Sequence, residues 1–401
     1  MIPEYRQIDV STLKYKYLKK CFIRKLFLIL TAACLLSGCS REKIFQISGT
    51  LTDFGDPDKP TLLYLKTRTV SDFLVDIDST YPAKDGKFVL KGKSSETDLY
   101  YLADHDNVFF LRIFVDPGDK ITVAGSAADS QNITIKGSGT QSLYDEYLSL
   151  LAPIQEKQKT ISQNYHAAEE DASMKDDELQ KILKEFDAAY DQLEKDEHVA
   201  TLDYVSANKN SIIAAYVIYK DTNTSGYSSE IEPKLQLLDP AMNNKFVTMA
   251  KNHLAKIKQT EPGAVFPNIE LTDLEGRLIS IESLRGKYLL VDFWASWCGP
   301  CMSEIPNLKQ AYQKYHDKGF EIFGISLDED KEAWVTCIDK HELNWINASE
   351  LQKFESPVAR QLAVKYIPRT FLLDPAGVVI AVDLEEDALE NKLAAEYDNN
   401  K

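Results

Sequence analysis

The fold of the C-terminal third of this chain is decided by Val291-Asp-Phe-Trp-Ala-Ser-Trp-Cys-Gly-Pro-Cys301. The apolar run Tyr288–Trp294 contains β-branched and aromatic residues, which is typical of a strand covered on both faces. After the second cysteine, apolar residues recur at helical spacing as far as Tyr312. The sequence therefore predicts a buried strand, a tight turn that carries two cysteines, and a helix that begins at that turn.

The two cysteines of this turn, Cys298 and Cys301, have the spacing of a redox-active pair. The first turn of a helix presents unpaired N–H groups and the positive end of the helix dipole, and both stabilise a thiolate at Cys298. A free cysteine titrates near about 8.5, and motifs of this kind lower that pKa to roughly 7 or below. We therefore expect Cys298 to be the nucleophile and Cys301, one turn further on, to resolve the mixed disulfide.

Two carboxylates are candidates for the base that Cys301 needs. Asp292 interrupts an apolar strand, and because burial of an unpaired carboxylate is costly, a raised pKa and a part in proton transfer are expected for it. Glu304 lies three residues after Cys301 on the same helical face. A first-turn acid stabilised by the helix dipole is an equally good interpretation of Glu304. The sequence leaves the choice between the two acids open.

This segment resembles the active site of thioredoxin-like proteins, including the Asp six residues before the first cysteine and Pro306 five residues after the second. Glu304 matches the acid of the TlpA/ResA-like branch, the membrane-anchored thiol-disulfide oxidoreductases. The resemblance implies a thioredoxin-like α/β fold with a mixed sheet. It also implies that no dissociable cofactor is needed, because the dithiol of Cys298 and Cys301 itself supplies the electrons.

Ile367-Pro368 before an apolar run matches the cis-proline of the same family. In that family this proline faces the CxxC motif, and the preceding backbone pairs with a bound peptide. The next residue, Arg369, departs from the commoner Thr or Ser and suggests a preference for acidic substrates. The resemblance implies a substrate-docking surface of Trp297, Gly299, Pro300, Ile367 and Pro368.

A structural zinc site is the alternative explanation for a single CxxC motif. Structural zinc takes four ligands, commonly with a second CxxC or a pair of histidines, and the sequence contains neither at the required spacing. His341-Glu342 is not followed by a histidine at Trp345, so it is no metalloprotease helix. We expect no metal site.

The N-terminus has the features of a bacterial export signal. A basic region at Lys19–Lys25 precedes the eleven-residue apolar run Leu26–Leu36, which is too short to span a bilayer core that needs about twenty residues. Leu36-Ser-Gly-Cys39 resembles a lipobox, which implies cleavage before Cys39 and lipidation of its thiol, although an ordinary cleavage site is the alternative. We expect a lipid-anchored protein of the cell envelope that faces the periplasm. The net charge of −16 excludes nucleic acid as a partner.

Patterning along the chain predicts a multidomain protein. Short alternating segments separated by turns such as Asp116-Pro-Gly-Asp119 indicate an all-β module, and helical periodicity follows Gly137. Glu261-Pro-Gly263 marks the start of the thioredoxin-like part. We expect a signal peptide at 1–38, a β-sandwich-like module at 39–137, a helical region at 138–260 and a thioredoxin-like domain at 261–401.

The resemblance implies an enzyme that reduces disulfides of exported proteins and receives electrons from a thiol-reducing membrane donor. Cytochrome c maturation or repair of misoxidised thiols is the implied purpose. One alternative is a thiol peroxidase, because the strand also resembles that of peroxiredoxins, although those carry Thr or Ser where this chain has Ala295. The other is a ligand- or partner-binding lipoprotein in which residues 39–260 capture the ligand and the thioredoxin-like domain is an accessory.

Overall fold

The computed structural model describes residues 41–55, 59–170, 176–223, 225–384 and 386–399. The expected signal peptide and the lipidated Cys39 lie outside the described residues. The chain forms two compact units. Among the described residues, the first unit comprises those up to Thr67 together with Asp76–Gln141, and the second comprises Arg68–Val75 together with those from Ser142 onward.

Within the described residues, the first unit is built from two four-stranded sheets with the strand orders β4-β1-β7-β8 and β3-β2-β5-β6. The strands are β1 (Lys43–Thr52), β2 (Leu63–Arg68), β3 (Leu74–Thr80), β4 (Lys87–Ser94), β5 (Asp98–Ala103), β6 (Phe110–Val115), β7 (Lys120–Ser126) and β8 (Thr134–Lys136). Every second residue of β4 is buried, so one face of this strand packs into a core that includes Phe45, Ile47 and Leu65. The predicted all-β character of the N-terminal part is confirmed.

Strand β3 was not predicted from the sequence. None of its side chains is fully buried, and Asp76 and Asp78 alternate with its apolar residues. A strand that contributes so little to the core carries only a weak hydrophobic pattern.

The middle of the chain is helical, as predicted. Its helices are α1 (Gly139–Glu170), α2 (Asp176–Ala207), α3 (Ile212–Thr222), α4 (Ser228–Leu235) and α5 (Lys245–Ile257). Helix α3 begins at a Ser211 cap whose hydroxyl accepts a hydrogen bond from the N–H of Ile213, and its residues 213–219 are all buried. Across the residues that the structure describes, no helix is both long enough and apolar enough to cross a bilayer.

The C-terminal part contains a five-stranded mixed sheet with the order β13-β12-β11-β14-β15. The elements of the C-terminal part are β9 (Glu270–Thr272), β10 (Leu278–Ser280), β11 (Tyr288–Trp294), α6 (Gly299–Tyr315), β12 (Phe320–Ser326), α7 (Lys331–His341), β13 (Ile346–Ser349), α8 (Pro357–Gln361), β14 (Arg369–Leu373), β15 (Val379–Val382) and α9 (Asp387–Asn399). Strand β11 pairs in parallel with β12 and antiparallel with β14. The predicted thioredoxin-like α/β architecture with a mixed sheet is confirmed.

Strand β11 lies at the centre of this sheet, and all seven of its residues are buried. Alternate residues contribute to two separate apolar clusters, Leu290 and Trp294 to one and Val291 and Phe293 to the other. The strand is therefore covered on both faces, as the sequence predicted. Ser356-Pro357 has the pattern of a cap and first turn and predicts a helix to Val364. Helix α8 instead ends at Gln361, because Ala363 adopts the left-handed conformation with φ 57°.

Candidate active site

The turn after β11 places Cys298 at the N-cap of α6 and Cys301 in its first turn. The two sulfurs form a disulfide, and both residues are about 95% buried, with exposed fractions of 5% and 4%. The N–H of Cys301 points to the Sγ of Cys298 at an N···S distance of 3.2 Å. A backbone donor at the positive end of the helix dipole favours negative charge on that sulfur once the disulfide is reduced.

The residues that flank the disulfide are exposed. Gly299 and Pro300 lie on the surface, and Pro300 occupies the first turn, where a helix loses no hydrogen bond to a proline. The side chain of Trp297 is 52% exposed, and its ring makes an edge contact with Phe354 at a centroid distance of 6.4 Å. An exposed aromatic side chain beside a buried disulfide provides apolar area for docking another chain.

The Ile367–Pro368 peptide bond is cis, as the resemblance implies. Pro368 and Cys301 line the same small cavity, so the structure brings two segments separated by 67 positions to one place. Ile367 is partly buried and packs against the apolar clusters on either side of the sheet.

This cavity, which we call the acidic cavity, also brings the two candidate bases to the resolving cysteine. Its lining residues are Asp292, Cys301, Glu304, Leu308, Pro368, Thr370, Asp383 and Leu384. Its volume of about 20 Å³ is sufficient for one water molecule. A single water could therefore connect the Cys301 thiol with a carboxylate.

Asp292 is buried in the middle of β11, opposite Gly324 of β12 and Thr370 of β14. Burial disfavours the charged carboxylate, and the negative charge of Glu304 disfavours it further; together they raise the pKa of Asp292 to about 7. A carboxyl group with this pKa both accepts and releases a proton near neutral pH.

Glu304 differs from Asp292 in being only partly buried. Its Oε2 accepts hydrogen bonds from the side-chain amide of Asn307 at 3.2 Å and from the backbone N–H of Glu386 at 3.1 Å. These two donors hold the carboxylate of Glu304 at the edge of the acidic cavity.

The expectation that Arg369 selects acidic substrates is wrong, because its side chain is only 4% exposed and its donors are occupied. Its guanidinium pairs with Asp383 and donates to the Tyr366 hydroxyl at 2.8 Å and to the carbonyl of Gly226 at 3.1 Å. Gly226 is needed for this approach, since a Cβ there would lie 2.4 Å from the Tyr366 hydroxyl oxygen.

Sequence reasoning missed this cluster around Arg369, and with it the third carboxylate of the acidic cavity. Asp383 accepts hydrogen bonds from the N–H of Thr370 at 3.1 Å and from the hydroxyl of Tyr227 at 3.1 Å. Tyr227 and Asp383 are 156 positions apart, and no periodicity or spacing relates them. The one signal in the sequence was the unusual arginine after the Ile-Pro pair.

Metal chemistry was not expected from the sequence. Among the residues that the structure describes, no group of His, Cys, Asp and Glu has an arrangement that would hold a metal ion. Cys337, the remaining described cysteine, is buried, and its sulfur lies 3.6 Å from that of Met302. Burial raises the pKa of the Cys337 thiol, so this cysteine is less reactive than an exposed one.

A mixed sheet with a CxxC disulfide at a helix start and a cis-proline beside it defines the class of thioredoxin-like proteins. The AhpC/TSA family model matches residues 262–382, and the model of a domain of unknown function, DUF4369, matches residues 45–144. Thiol-disulfide oxidoreductase ResA of Bacillus cereus is 32% identical over 133 residues, which are 33% of this chain and 75% of that protein. ResA of Bacillus subtilis is 30% identical over 120 residues, 30% of this chain and 65% of that protein.

Solved structures with sequence similarity cover about a third of the chain. The thioredoxin domain of a thiol-disulfide oxidoreductase from Bacteroides vulgatus is 33% identical, covers 34% of this chain and 97% of its own, and has a TM-score of 0.33. A thiol-disulfide oxidoreductase from Bacteroides fragilis is 36% identical, covers 34% and 99%, and has a TM-score of 0.31. On the match to ResA, this chain belongs to the family of thioredoxin-like thiol-disulfide oxidoreductases.

Proposed function

We propose that this protein reduces disulfides of exported proteins, with Cys298 as the attacking thiol and Cys301 as the resolving thiol. The observation that carries the proposal is the bonded pair at the start of α6, with Pro368 and three carboxylates around the cavity behind it. The helix dipole and the N–H of Cys301 support a thiolate at Cys298.

The reaction has two exchange steps. The Cys298 thiolate attacks one sulfur of the substrate disulfide, and the other substrate sulfur leaves as a thiolate. Cys301 then loses its proton and attacks the Cys298 sulfur, which releases the second substrate thiolate and leaves the Cys298–Cys301 disulfide. Two electrons pass to the substrate, and no dissociable cofactor takes part.

We assign the proton of Cys301 to Asp292, with the water-sized space of the acidic cavity between them. The pKa of about 7 suits Asp292 for this transfer, because a base works best when its pKa lies near the working pH. Glu304 would assist in two ways: its charge raises the pKa of Asp292, and its exposed side leads the proton to solvent.

Trp297, Gly299, Pro300, Ile367 and Pro368 form the proposed docking surface. Exposure of the first three beside the disulfide, and the shared cavity of Pro368 and Cys301, support it. The surface offers an aromatic ring and backbone rather than charge, which suits an enzyme that accepts many clients by their main chain.

We further propose that the protein is exported, lipidated at Cys39 and faces the periplasm, with domains at 39–137, 138–260 and 261–401. The hydrophobic run before the cysteine and the matches at 45–144 and 262–382 support this organisation. In an oxidising compartment a reductant must be re-reduced. A thiol-reducing membrane donor is the proposed source, and cytochrome c maturation or thiol repair the proposed use.

The assignment of Cys298 is tested by insulin reduction with dithiothreitol as the electron source. We expect Cys298→Ser to abolish turnover, because the variant has no sulfur to attack the substrate. Cys337→Ala is the matched control: it removes a buried cysteine outside the site and should keep the rate within about twofold. Full activity in Cys298→Ser would refute the proposal.

The direction of electron flow is tested by the midpoint potential of the Cys298/Cys301 pair, measured in thiol buffers by counting alkylated cysteines by mass. The Gly299-Pro300 dipeptide resembles that of reducing thioredoxins, and we expect a potential near about −270 mV. A potential near about −120 mV would instead make the protein an oxidant that introduces disulfides.

A thiol peroxidase is the second candidate, because the AhpC/TSA family model matches residues 262–382. Ala295 opposes it, since peroxiredoxins carry a hydroxyl side chain three residues before the attacking cysteine. Consumption of hydrogen peroxide faster than insulin reduction, and lost in Cys298→Ser, would favour this function.

A further inference from the structure

A second cavity of the second unit shares no lining residue with the acidic cavity and has a volume of about 240 Å³. Helix α3 contributes Tyr219, helix α5 contributes His253 and Lys256, and segment 68–75 contributes Asp72. Arg360 of α8 and Lys365, which follows that helix, complete the charged part of its wall. We call it the basic cavity.

Asp72 is the one carboxylate in the described lining of the basic cavity, and its oxygens are already engaged. Oδ2 lies 2.8 Å from Nζ of Lys365, and Oδ1 accepts a hydrogen bond of 2.7 Å from the hydroxyl of Tyr219. Oδ1 also lies 3.1 Å from a guanidinium nitrogen of Arg68. The single negative charge of Asp72 is thus shared between two cations and does not neutralise the rest of the wall.

Two cationic groups of the wall lack an anionic partner inside the cavity. Nζ of Lys256 donates to the backbone carbonyl of Arg360 at 2.7 Å, which is its one hydrogen bond among the described residues. Arg360, whose side chain is only 10% exposed, pairs with Glu355, but Glu355 is 70% exposed and is not part of the lining. Nε of Arg360 is buried and has no hydrogen-bond partner among the described residues.

Lys256, Arg360 and Lys365 together outweigh Asp72, so the wall carries an excess of positive charge within a chain whose net charge is −16. Burial and the neighbouring charge of Lys365 lower the pKa of Lys256, which is the effect that a positive surrounding has on an ammonium group.

We propose that the basic cavity binds a small organic molecule that carries an oxyanion, a carboxylate or a phosphate, between Lys256 and Arg360. The oxyanion pairs with the ammonium group of Lys256 and the guanidinium group of Arg360 and offsets the excess charge, and such charge-assisted bonds are strong when buried. The volume lies below the range of about 300–1,000 Å³ that is usual for drug-sized ligands, which limits the ligand to a few heavy atoms beyond the oxyanion.

The proposal is tested by isothermal titration of the full chain with inorganic phosphate and, separately, with succinate, at an ionic strength held constant with chloride. We expect saturable binding at one site by at least one of the two probes, and the probe that binds more tightly assigns the ligand as a phosphate or a carboxylate. Absence of saturable binding by both overturns the proposal.

Two variants locate the site. Lys256→Met removes one charge at similar length and should weaken binding at least about tenfold, and Arg360→Lys should weaken it too, because it keeps the charge but loses the planar guanidinium donors. Lys251→Met is the matched control on the same helix: Lys251 is exposed and does not line the cavity, so binding should be unchanged. Equal binding by Lys256→Met and the parent chain would overturn the assignment.

Insulin reduction separates this proposal from the function of the cysteine pair. Lys256 does not contact the disulfide or the acidic cavity, and Lys256→Met should reduce insulin at the parental rate. A variant that keeps this rate has a folded thioredoxin-like part, and an unchanged circular dichroism spectrum shows that the helical part is folded as well. A loss of anion binding in such a variant reports on the basic cavity alone.

Discussion

The acidic cavity beside Cys301 and the basic cavity beside Lys256 lie in the same unit and gather opposite charges. In the first, Asp292 and Glu304 line a space of about 20 Å³, and burial together with the charge of Glu304 raises the pKa of Asp292. In the second, cations surround about 240 Å³, which has room for a ligand. In both cavities, like charges that are buried close together lower the stability of the fold. The difference in volume suits the small acidic cavity to the proposed proton transfer and the larger basic cavity to the proposed binding of a ligand.

The largest expected effect is on the rate of insulin reduction, and it tests the role proposed for the acidic cavity. Asp292→Asn should slow insulin reduction at pH 7 by about 10² or more, because it removes the proposed proton acceptor of Cys301, and the double variant with Glu304→Gln should be slower still. In the parent chain the rate should rise with pH through about 7, as Asp292 loses its proton, and this rise should be absent in Asp292→Asn.

Asp317→Asn is the control for those variants, because Asp317 is exposed and does not line the acidic cavity. Its rate and pH profile should match those of the parent chain. If Asp292→Asn keeps both the rate and the rise near pH 7, Asp292 is not the base, and Glu304 is the remaining candidate in the acidic cavity.

A smaller effect is expected on stability. The pKa of Asp292 is raised from 3.8 to about 7 in the folded chain, so the folded state binds this proton more tightly than the unfolded state. The resulting stability is fully present below pH 3.8 and is lost as the pH rises through 7, by on the order of 4 kcal/mol. Asp292→Asn lacks this loss, so its free energy of unfolding should rise relative to that of the parent chain between pH 4 and pH 8.

Urea unfolding of the oxidised protein at several pH values measures this difference. All four tryptophans, Trp294, Trp297, Trp334 and Trp345, lie in the C-terminal part, so their fluorescence reports on the unfolding of that part. Parallel pH dependences of the free energy of unfolding in the two proteins would show that Asp292 is not buried with a raised pKa.

The smallest expected effect concerns the contact between Gly226 and Arg369, the residue whose guanidinium forms an ion pair with Asp383. Gly226→Ala places a Cβ 2.4 Å from the Tyr366 hydroxyl and should lower the free energy of unfolding by about 1–3 kcal/mol. Gly139→Ala is the control, because the nearest atom to its added Cβ lies at 3.9 Å, and it should change stability little. Equal stability of the two variants would show that the Arg369 cluster adapts without cost.

The features that could be predicted from the sequence are those that depend on residues close together in the chain. The apolar run of β11, the CxxC spacing and the Ile-Pro pair are local patterns, and their resemblance to thioredoxin-like proteins supplied the cis bond at Pro368 and the position of Glu304. Asp292 could be identified because a carboxylate in an apolar strand is conspicuous. Each of these signals is visible within a dozen residues.

The parts that were missed depend on distant segments. Arg360 and Lys365 meet Asp72 across 288 and 293 positions, and neither periodicity nor spacing encodes such a meeting. Arg369 was assigned to substrates because its partner Asp383 becomes apparent only when β14 is placed in the sheet. The early end of α8 follows from the backbone of Ala363, and an alanine gives no warning of a left-handed conformation.

Arg68–Val75 belongs to the second unit although the chain on both sides of it belongs to the first. The polypeptide therefore passes between the units at three points, after Thr67, after Val75 and after Gln141. Asp72 lies within this segment, and its ion pair with Lys365 and the hydrogen bond from Tyr219 hold it in the wall of the basic cavity. A fragment that starts at Ser142 lacks this acid, so truncation cannot yield an intact second unit, whereas a fragment limited to 261–401 also lacks Lys256. The 261–401 fragment therefore keeps the Cys298–Cys301 pair and loses the proposed anion site, so it reports on the redox chemistry alone.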